Sequence, residues 1–493
     1  MTTATEPTPV PLGVHIGRLA EQLGDRVAVV CGDLARSWRE IESRTNRMAR
    51  GLEARGVTEG RLVTIGLPNS VEFIEACIAC WKVGAVPQPV SSRLPALELQ
   101  AIVELADAPI VIAAGDFDVD RPIYDADALL EDDDSPLPPR ISPSWKAPTS
   151  GGSTGRPKLI LAGTPGVHQA VSGVWQHTPD GIALMPGPMY HNGPFSSAFA
   201  GFFQGSTLVL MPRFDAEETL RLVEKHQATW VYLVPAMMGR IWRLPEDVRS
   251  RYDVSSLRTV WHLAAPCPEW LKAAWIEWLG PEKIWELYAG TEAQAGTVIT
   301  GAEWLAHRGS VGKVTFGEMV ILDPDGNPLP AGEVGEVFLK RPDGMGPSYH
   351  YIGAEARKRG EWESLGDIGW LDEDGYLYLA DRRTDMILVG GSNVYPAEVE
   401  AALDEHPHVR SSAVIGLPDD DLGQVVHAIV QADREQLDID DLRAHLAQRL
   451  VRYKHPRTFE LVDEPLRDDA GKIRRSALRA ERLAAQATEG GGS

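Results

Sequence analysis

Trp38, Ile41, Thr45, Met48 and Leu52 recur at the spacing of one helical face. Residues 62–67, Leu-Val-Thr-Ile-Gly-Leu, form a short apolar run that reads as a strand. Asn69 then reads as a helix cap, with Glu72 at the capping-box position. Residues 71–81 read as a buried helix, and 86–90 and 109–113 as further strands. This alternation predicts a parallel, helix-covered sheet. Three later strands are expected at 229–234, 259–263 and 283–287. They run into Pro235, into Ala264-Ala265-Pro266 and into Tyr288. Ligands of open α/β sheets lie beyond the carboxyl ends of the strands, so these loops are expected to share one site.

From Val314 the pattern changes. Residues 318–322 and 335–339, with a Pro-Asp-Gly-Asn turn at 324–327, read as β-hairpins. After residues 376–380 comes the charged run 381–385, read as a hinge. A helix (396–405), two strands (411–417 and 425–431), a helix (439–449) and a basic segment follow. The fold class expected is α/β. A large N-terminal domain, 1–381, would hold parallel helix-covered sheets and a β-rich subdomain. A small mobile α+β domain would span 382–486, with a disordered tail at 487–493. No internal repeat is visible.

Composition narrows the function. A chain of 493 residues with 43% hydrophobic content can build at least two domains. A formal charge of −22 argues against a sequence-independent nucleic-acid binder, which needs basic surface. No run approaches the ~18 apolar residues of a membrane helix. The N-terminus has no basic or apolar signal region, so a cytoplasmic location is expected. Cys77 and Cys80 form a lone C-x-x-C inside the apolar helix. Without a second Cys/His pair at zinc spacing they read as core residues.

The densest chemistry lies in Thr149-Ser150-Gly151-Gly152-Ser153-Thr154-Gly155-Arg156-Pro157-Lys158. Glycines let backbone N–H groups converge on an anion. The hydroxyls add donors, and Arg156 and Lys158 add positive charge. That is the chemistry of a polyphosphate clamp. It is not a Walker A loop, because Arg156 and Pro157 separate Gly155 from Lys158.

Three further motifs follow in order: Tyr288-Ala289-Gly290-Thr291-Glu292; Gly366-Asp367 with Asp381-Arg382 downstream; and Gly471-Lys472-Ile473-Arg474. Together with the glycine-rich loop they resemble the adenylate-forming superfamily of acyl-CoA synthetases, adenylation domains and luciferases. The resemblance covers nearly the whole chain. The wording of the glycine-rich loop and of residues 381–388 looks most like the bile-acid-CoA-ligase-like branch.

The resemblance implies ATP, Mg²⁺ and coenzyme A as cofactors, and a two-step reaction. A carboxylate attacks the α-phosphate of ATP and expels pyrophosphate; a thiol then displaces AMP. By this likeness Thr149 to Gly155 and Lys158 would hold the β- and γ-phosphates. Tyr288 would stack on adenine beside Ala264, Ala265 and Pro266, with Ala289 and Gly290 completing the wall. Thr291 would donate to the α-phosphate and Glu292 would hold Mg²⁺. Asp367 would accept from both ribose hydroxyls, with Arg382 reaching the same region. Lys472 would bridge the carboxylate and the α-phosphate during adenylation. The small domain would then rotate, bringing Gly390 and Gly391 to line the pantetheine tunnel. The family's usual pivot is an Asp or Lys; Thr384 stands there instead.

The same likeness places Tyr190, His191, Phe195, Val234, Ala236 and Gly296 around the acyl group. His191 would border and gate that pocket without acid–base work, since the carboxylate is already ionised at neutral pH. The spans around these residues are rich in small side chains and offer no second Lys or Arg. A bulky, mostly apolar monocarboxylic acid is expected, polycyclic or terpenoid if the branch likeness holds, with aryl and medium-chain fatty acids left open. Two alternatives stay open: a carrier-protein thiol as acceptor, and a non-catalytic nucleotide-binding protein on the same scaffold. Homodimers are common in such enzymes, and nothing in the sequence requires one.

Overall fold

A computed structural model describes residues 9–115, 119–151, 157–168, 174–389, 392–419, 422–468 and 471–490. Its largest sheet changes character midway. Strands Thr207–Leu210, Ile182–Met185, Trp230–Leu233, Thr259–Leu263 and Ile284–Ala289 are mutually parallel. From Ile284–Ala289 onward the pairing is antiparallel, first with Gly296–Thr300 and then with Ser310–Phe316. Strands Tyr376–Arg382, Trp362–Leu371, Gly335–Lys340 and Glu318–Leu322 continue the antiparallel half. The segment 290–295 thus turns the chain where the parallel half meets the antiparallel half.

The expected parallel sheet, β-rich region and small C-terminal α+β unit are all present. Parallel strands need both faces covered, and every residue of Trp230–Leu233 and Thr259–Leu263 is buried. A second parallel sheet joins Val86–Pro89, Leu62–Gly66, Val111–Ala113 and Ile123–Tyr124. The small unit packs Pro396–Asp404 and Ile439–Ala447 on a sheet led by Val409–Asp419 and Gly423–Ala432. Its last helix is Arg475–Gly490, so the tail expected from 487 is helical through Gly490. No helix among the described residues is long and apolar enough to cross a membrane.

Cys77 and Cys80 are fully buried in helix Val71–Lys82. Burial pushes both thiols up, as expected for core residues. The cap of that helix is corrected. Ser70, not Asn69, accepts from the Phe73 N–H. Asn69 is buried and faces the sheet instead. Its amide donates to the carbonyls of Gly187 (2.8 Å) and Met211 (2.9 Å), and its oxygen accepts from the Met189 N–H at 2.7 Å. One side chain thereby ties down the loop leading to Tyr190 and His191. A buried amide seeks all its partners, and two carbonyls and one N–H meet the Asn69 side chain.

Candidate active site

The two ends of the glycine-rich segment are strands of a three-stranded sheet. Thr149–Gly151 pairs antiparallel with Pro157–Ala162, Ser150 opposite Lys158. Gln88 anchors its start: the Gln88 amide donates to the Thr149 hydroxyl at 2.7 Å and accepts from Thr64 at 2.7 Å. Gly152, Ser153, Thr154, Gly155 and Arg156 lie outside the described residues, as do Gly390 and Gly391.

Strand Ile284–Ala289 carries Tyr288 to the cleft, one step further than the sequence pattern placed its end. The Tyr288 hydroxyl donates to Asp367 Oδ2 at 2.7 Å. Asp367 pairs in register with Arg382 across two antiparallel strands, and Arg382 Nε lies 3.3 Å from Asp367 Oδ1. Burial, then the Asp367 charge, pushes the Tyr288 phenol well above its ordinary value. The phenol is therefore a fixed donor. Gly290 is constrained sterically: a Cβ there would stand 2.5 Å from Leu365 Cδ1 and 2.9 Å from Glu292 Oε2. Ala264 and Ala293 have φ of 77° and 52°, left-handed values that cost energy without glycine. Both belong to loops lining the cleft, which also exposes Pro266 and leaves Ala265 half-buried.

Glu292 is buried and meets two groups. Tyr351 donates to its Oε1 at 2.5 Å, and Lys158 Nζ lies 3.5 Å from the same oxygen. Oε2 has no hydrogen-bond partner among the described residues. A carboxylate oxygen is a hard donor that suits Mg²⁺. The residues present therefore fit that ion.

The small domain closes the cleft. Lys472 belongs to a tight turn in which Asp468 Oδ1 accepts from the Lys472 N–H at 2.9 Å. Gly471, at φ 75°, approaches the large domain so closely that a Cβ would stand 3.1 Å from Val234 and 3.3 Å from Ala236. Lys472 is exposed at the cleft mouth yet walled by protein. That wall lowers its pKa, the Arg382 charge lowers it further, and Asp468 and Glu292 oppose the shift. Arg243 holds the same closure elsewhere, donating to the carbonyls of Asp404 and Arg410 at 3.2 Å each. Thr384 is exposed and donates to Asp385 at 3.3 Å.

His191 precedes helix Asn192–Phe202 and packs on the Tyr190 ring at 4.2 Å. Its Nε2 is buried with no hydrogen-bond partner among the described residues. Burial, then the charges of Lys472 and Arg474, drives its pKa down to about 3. The imidazole is neutral, in keeping with a gate rather than a proton carrier.

Two residues expected around the acyl group are enclosed by protein. Phe195 is 1% exposed and packs among Trp145, Phe199, Trp81 and Phe73, with ring centroids 4.7–6.4 Å away. It belongs to the core beneath the pocket, because it falls on the inward face of its helix. Gly296 makes room for protein, since its missing Cβ would stand 2.6 Å from the Phe316 ring.

Sequence reasoning passed over Tyr351 and Lys146. Lys146 is buried; its ammonium donates to Asn192 and Ser196 and lies 4.5 Å from the Trp145 ring. Burial drops its pKa to about 7. The available signal for Lys146 was a lone lysine among apolar residues just before the glycine-rich loop.

Residues 17–350 match the AMP-binding enzyme family, and 398–472 match the AMP-binding enzyme C-terminal domain. A feruloyl-CoA synthase of an Amycolatopsis species is 33% identical over 95% of this chain and 98% of its own length. A long-chain-fatty-acid–CoA ligase of Mycobacterium tuberculosis is 31% identical over 91% of this chain and 93% of its own. Among solved structures, the o-succinylbenzoate CoA synthetase of Bacillus subtilis in complex with its acyl-adenylate superposes with a TM-score of 0.80. It is 26% identical, with 96% of this chain and 99% of that one covered.

Proposed function

The chain belongs to the AMP-binding enzyme family of adenylate-forming ligases, an AMP-forming carboxylate–CoA ligase by its relatives, and from that premise we propose that its substrate is a bulky, mostly apolar monocarboxylic acid. The observation that carries the site assignment is Lys472. It comes from the small domain, yet the charges of Arg382 and Glu292 act on it, and its own charge acts on His191 of the large domain.

In the first step an oxygen of the acid attacks the α-phosphorus of ATP, and the bond to pyrophosphate breaks. Lys472 neutralises the repulsion between the two anions and the charge that develops on the α-phosphate. Thr291 donates to the same phosphate. Lys158 and the glycine-rich segment take the β- and γ-phosphates. Glu292 holds Mg²⁺, which supplies charge neutralisation on the phosphates when bound. Asp367 accepts from the ribose, oriented by Tyr288 and Arg382. Tyr288 and Ala264 to Pro266 border the adenine.

In the second step the small domain turns about 381–385, with Thr384 at the pivot, and withdraws Lys472. The thiol sulfur of coenzyme A attacks the acyl carbon, and the carbon–oxygen bond to AMP breaks. Gly390 and Gly391 would border the pantetheine chain. Tyr190, His191, Val234 and Ala236 border the acid. The neutral His191 and the apolar neighbours favour a substrate with one carboxylate and no second charge.

Pyrophosphate release with Mg·ATP across a panel of carboxylic acids, with and without CoA, tests this reading. AMP, pyrophosphate and an acyl-CoA from a bulky apolar acid are expected. Exclusive turnover of dicarboxylates or amino acids would overturn the acid class. Acyl-adenylate without acyl-CoA would assign a carrier-protein thiol as acceptor.

A further inference from the structure

Strand Tyr349–Ile352 has no part in the reaction just described, although it lies against the strand that bears Lys158. It pairs antiparallel with Pro157–Ala162, Tyr351 opposite Ile160 and Tyr349 opposite Ala162. Residues two apart share one face of a strand. The two tyrosine rings accordingly meet edge to face at 4.6 Å.

Tyr351 touches both charged groups of the phosphate site. Its hydroxyl donates to Glu292 Oε1 at 2.5 Å, and Lys158 Nζ lies 4.0 Å from its ring centroid. Behind it stands a polar wall. Tyr349 donates to Glu363 Oε2 at 2.7 Å, which also accepts from Gln294 at 2.9 Å. Lys358 lies 2.8 Å from the other Glu363 oxygen. Tyr351 is therefore backed by a ring whose own hydroxyl is anchored.

Lys158 and Glu292 carry opposite charges in a cleft where Coulomb attraction is strong. A closed lysine–carboxylate pair settles at about 2.7–2.9 Å, whereas Lys158 stands at 3.5 Å from Glu292. Tyr351 supplies both reasons. Its hydroxyl occupies the near carboxylate oxygen as a neutral donor, and its ring face offers the ammonium an alternative seat. A closed pair would take Lys158 from the phosphates and give Glu292 a partner competing with a metal ion.

We propose that Tyr351 is a positioning residue that keeps Lys158 and Glu292 from closing into a direct ion pair, so that both remain available to a metal–nucleotide complex. This rests on the reading of Glu292 as metal ligand and Lys158 as phosphate donor.

The test uses Mn²⁺ as the probe, titrated by electron paramagnetic resonance into the full chain with a non-hydrolysable ATP analogue. Tyr351→Phe keeps the ring and removes the hydroxyl. Its Mn²⁺–nucleotide affinity should fall about tenfold, the usual effect of losing a partner that orients a metal ligand. KM for Mg·ATP should rise more than kcat falls. In a Lys158→Met background the same substitution should add at most about twofold, because the ion pair it prevents can no longer form. A merely structural role would instead add its full effect in both backgrounds. Unchanged or tighter Mn²⁺ binding in Tyr351→Phe would overturn the proposal, as would an undiminished effect beside Lys158→Met. Glu292→Gln separates the two levels. If it leaves Mn²⁺ affinity intact, the metal-ligand reading fails; if it weakens binding while Tyr351→Phe does not, only the positioning role fails. Circular dichroism and thermal midpoints establish that each variant is folded.

Discussion

Two lysines place their charge near Glu292, and the chain holds them differently. Lys158 belongs to a strand paired on both edges, half-buried beside Tyr351. Lys472 belongs to a short turn of the small domain, exposed, and fixed to its surroundings chiefly through Asp468. Sheet register makes Lys158 a permanent part of the site. Lys472 is held at the cleft by the packing of Gly471 on Val234 and Ala236 and by Arg243 on the small domain, and in the proposed reaction it would leave with that domain. A permanent cation suits the polyphosphate, which must be bound throughout adenylation. A removable cation suits a reaction whose second step has no α-phosphate transfer to assist.

The largest effect should come from the removable charge. Lys472→Ala is expected to slow adenylation by at least about 10²–10³-fold, the range for loss of a single group that stabilises developing charge. Transfer to CoA from a preformed acyl-adenylate should change much less. Equal loss in both half-reactions, measured separately by rapid quench, would erase the contrast between the two lysines.

Gly290→Ala comes next. Its Cβ would press on Leu365 and on Glu292. Displacing that carboxylate should raise KM for Mg·ATP about tenfold. A normal KM would mean that Glu292 is not held by the packing around Gly290.

The pH dependence sharpens the comparison. In the proposed reaction adenylation uses the ammonium form of Lys472, whose pKa is lowered by burial and by Arg382. The rate should be full below that pKa and fall as pH rises through it, at a pH lower than for a free lysine. Lys472→Arg should lift the alkaline limb, since a guanidinium keeps its charge. His191, neutral with a pKa of about 3, should contribute no limb between about pH 5 and 8. An alkaline limb unmoved by Lys472→Arg would assign that titration to another group.

The smallest effect is expected from Arg243→Ala. It removes two hydrogen bonds from a cation to backbone carbonyls of the small domain. A cost of about 1 kcal/mol corresponds to roughly a fivefold shift toward the undocked arrangement. Adenylation should slow by that factor and CoA transfer should not. Small-angle scattering would report the shift directly, and an unchanged profile would remove Arg243 from the docking.

Much of this was legible in the chain. The parallel half of the main sheet followed from apolar runs at regular spacing, because a strand covered on both faces must be apolar along its length. The nucleotide-facing loops followed from where those runs end. The order of the four motifs pointed to the family before any contact was known. Asn69 was misread because a capping box one residue earlier in register looks the same in sequence as the true cap at Ser70. Only the neighbouring carbonyls of Gly187 and Met211 distinguish the two. The inward packing of Phe195 was not legible because small and aromatic residues alternate along its helix, and the apolar pattern does not say which face meets a pocket and which the core.

What the sequence determined by itself was the set of chemical groups and the local elements that carry them: helical and strand periods, the glycine-rich segment, the Tyr-to-Glu segment and the terminal lysine. These depend on residues close together in the chain. What only the tertiary structure decided was which groups meet. Tyr351 reaches Glu292, 59 positions away in the chain, and Lys472 reaches the large domain through the packing of Gly471 on Val234 and Ala236. The physical reason is that such contacts are set by sheet register and by close packing between domains. Neither leaves a periodic trace in the local sequence.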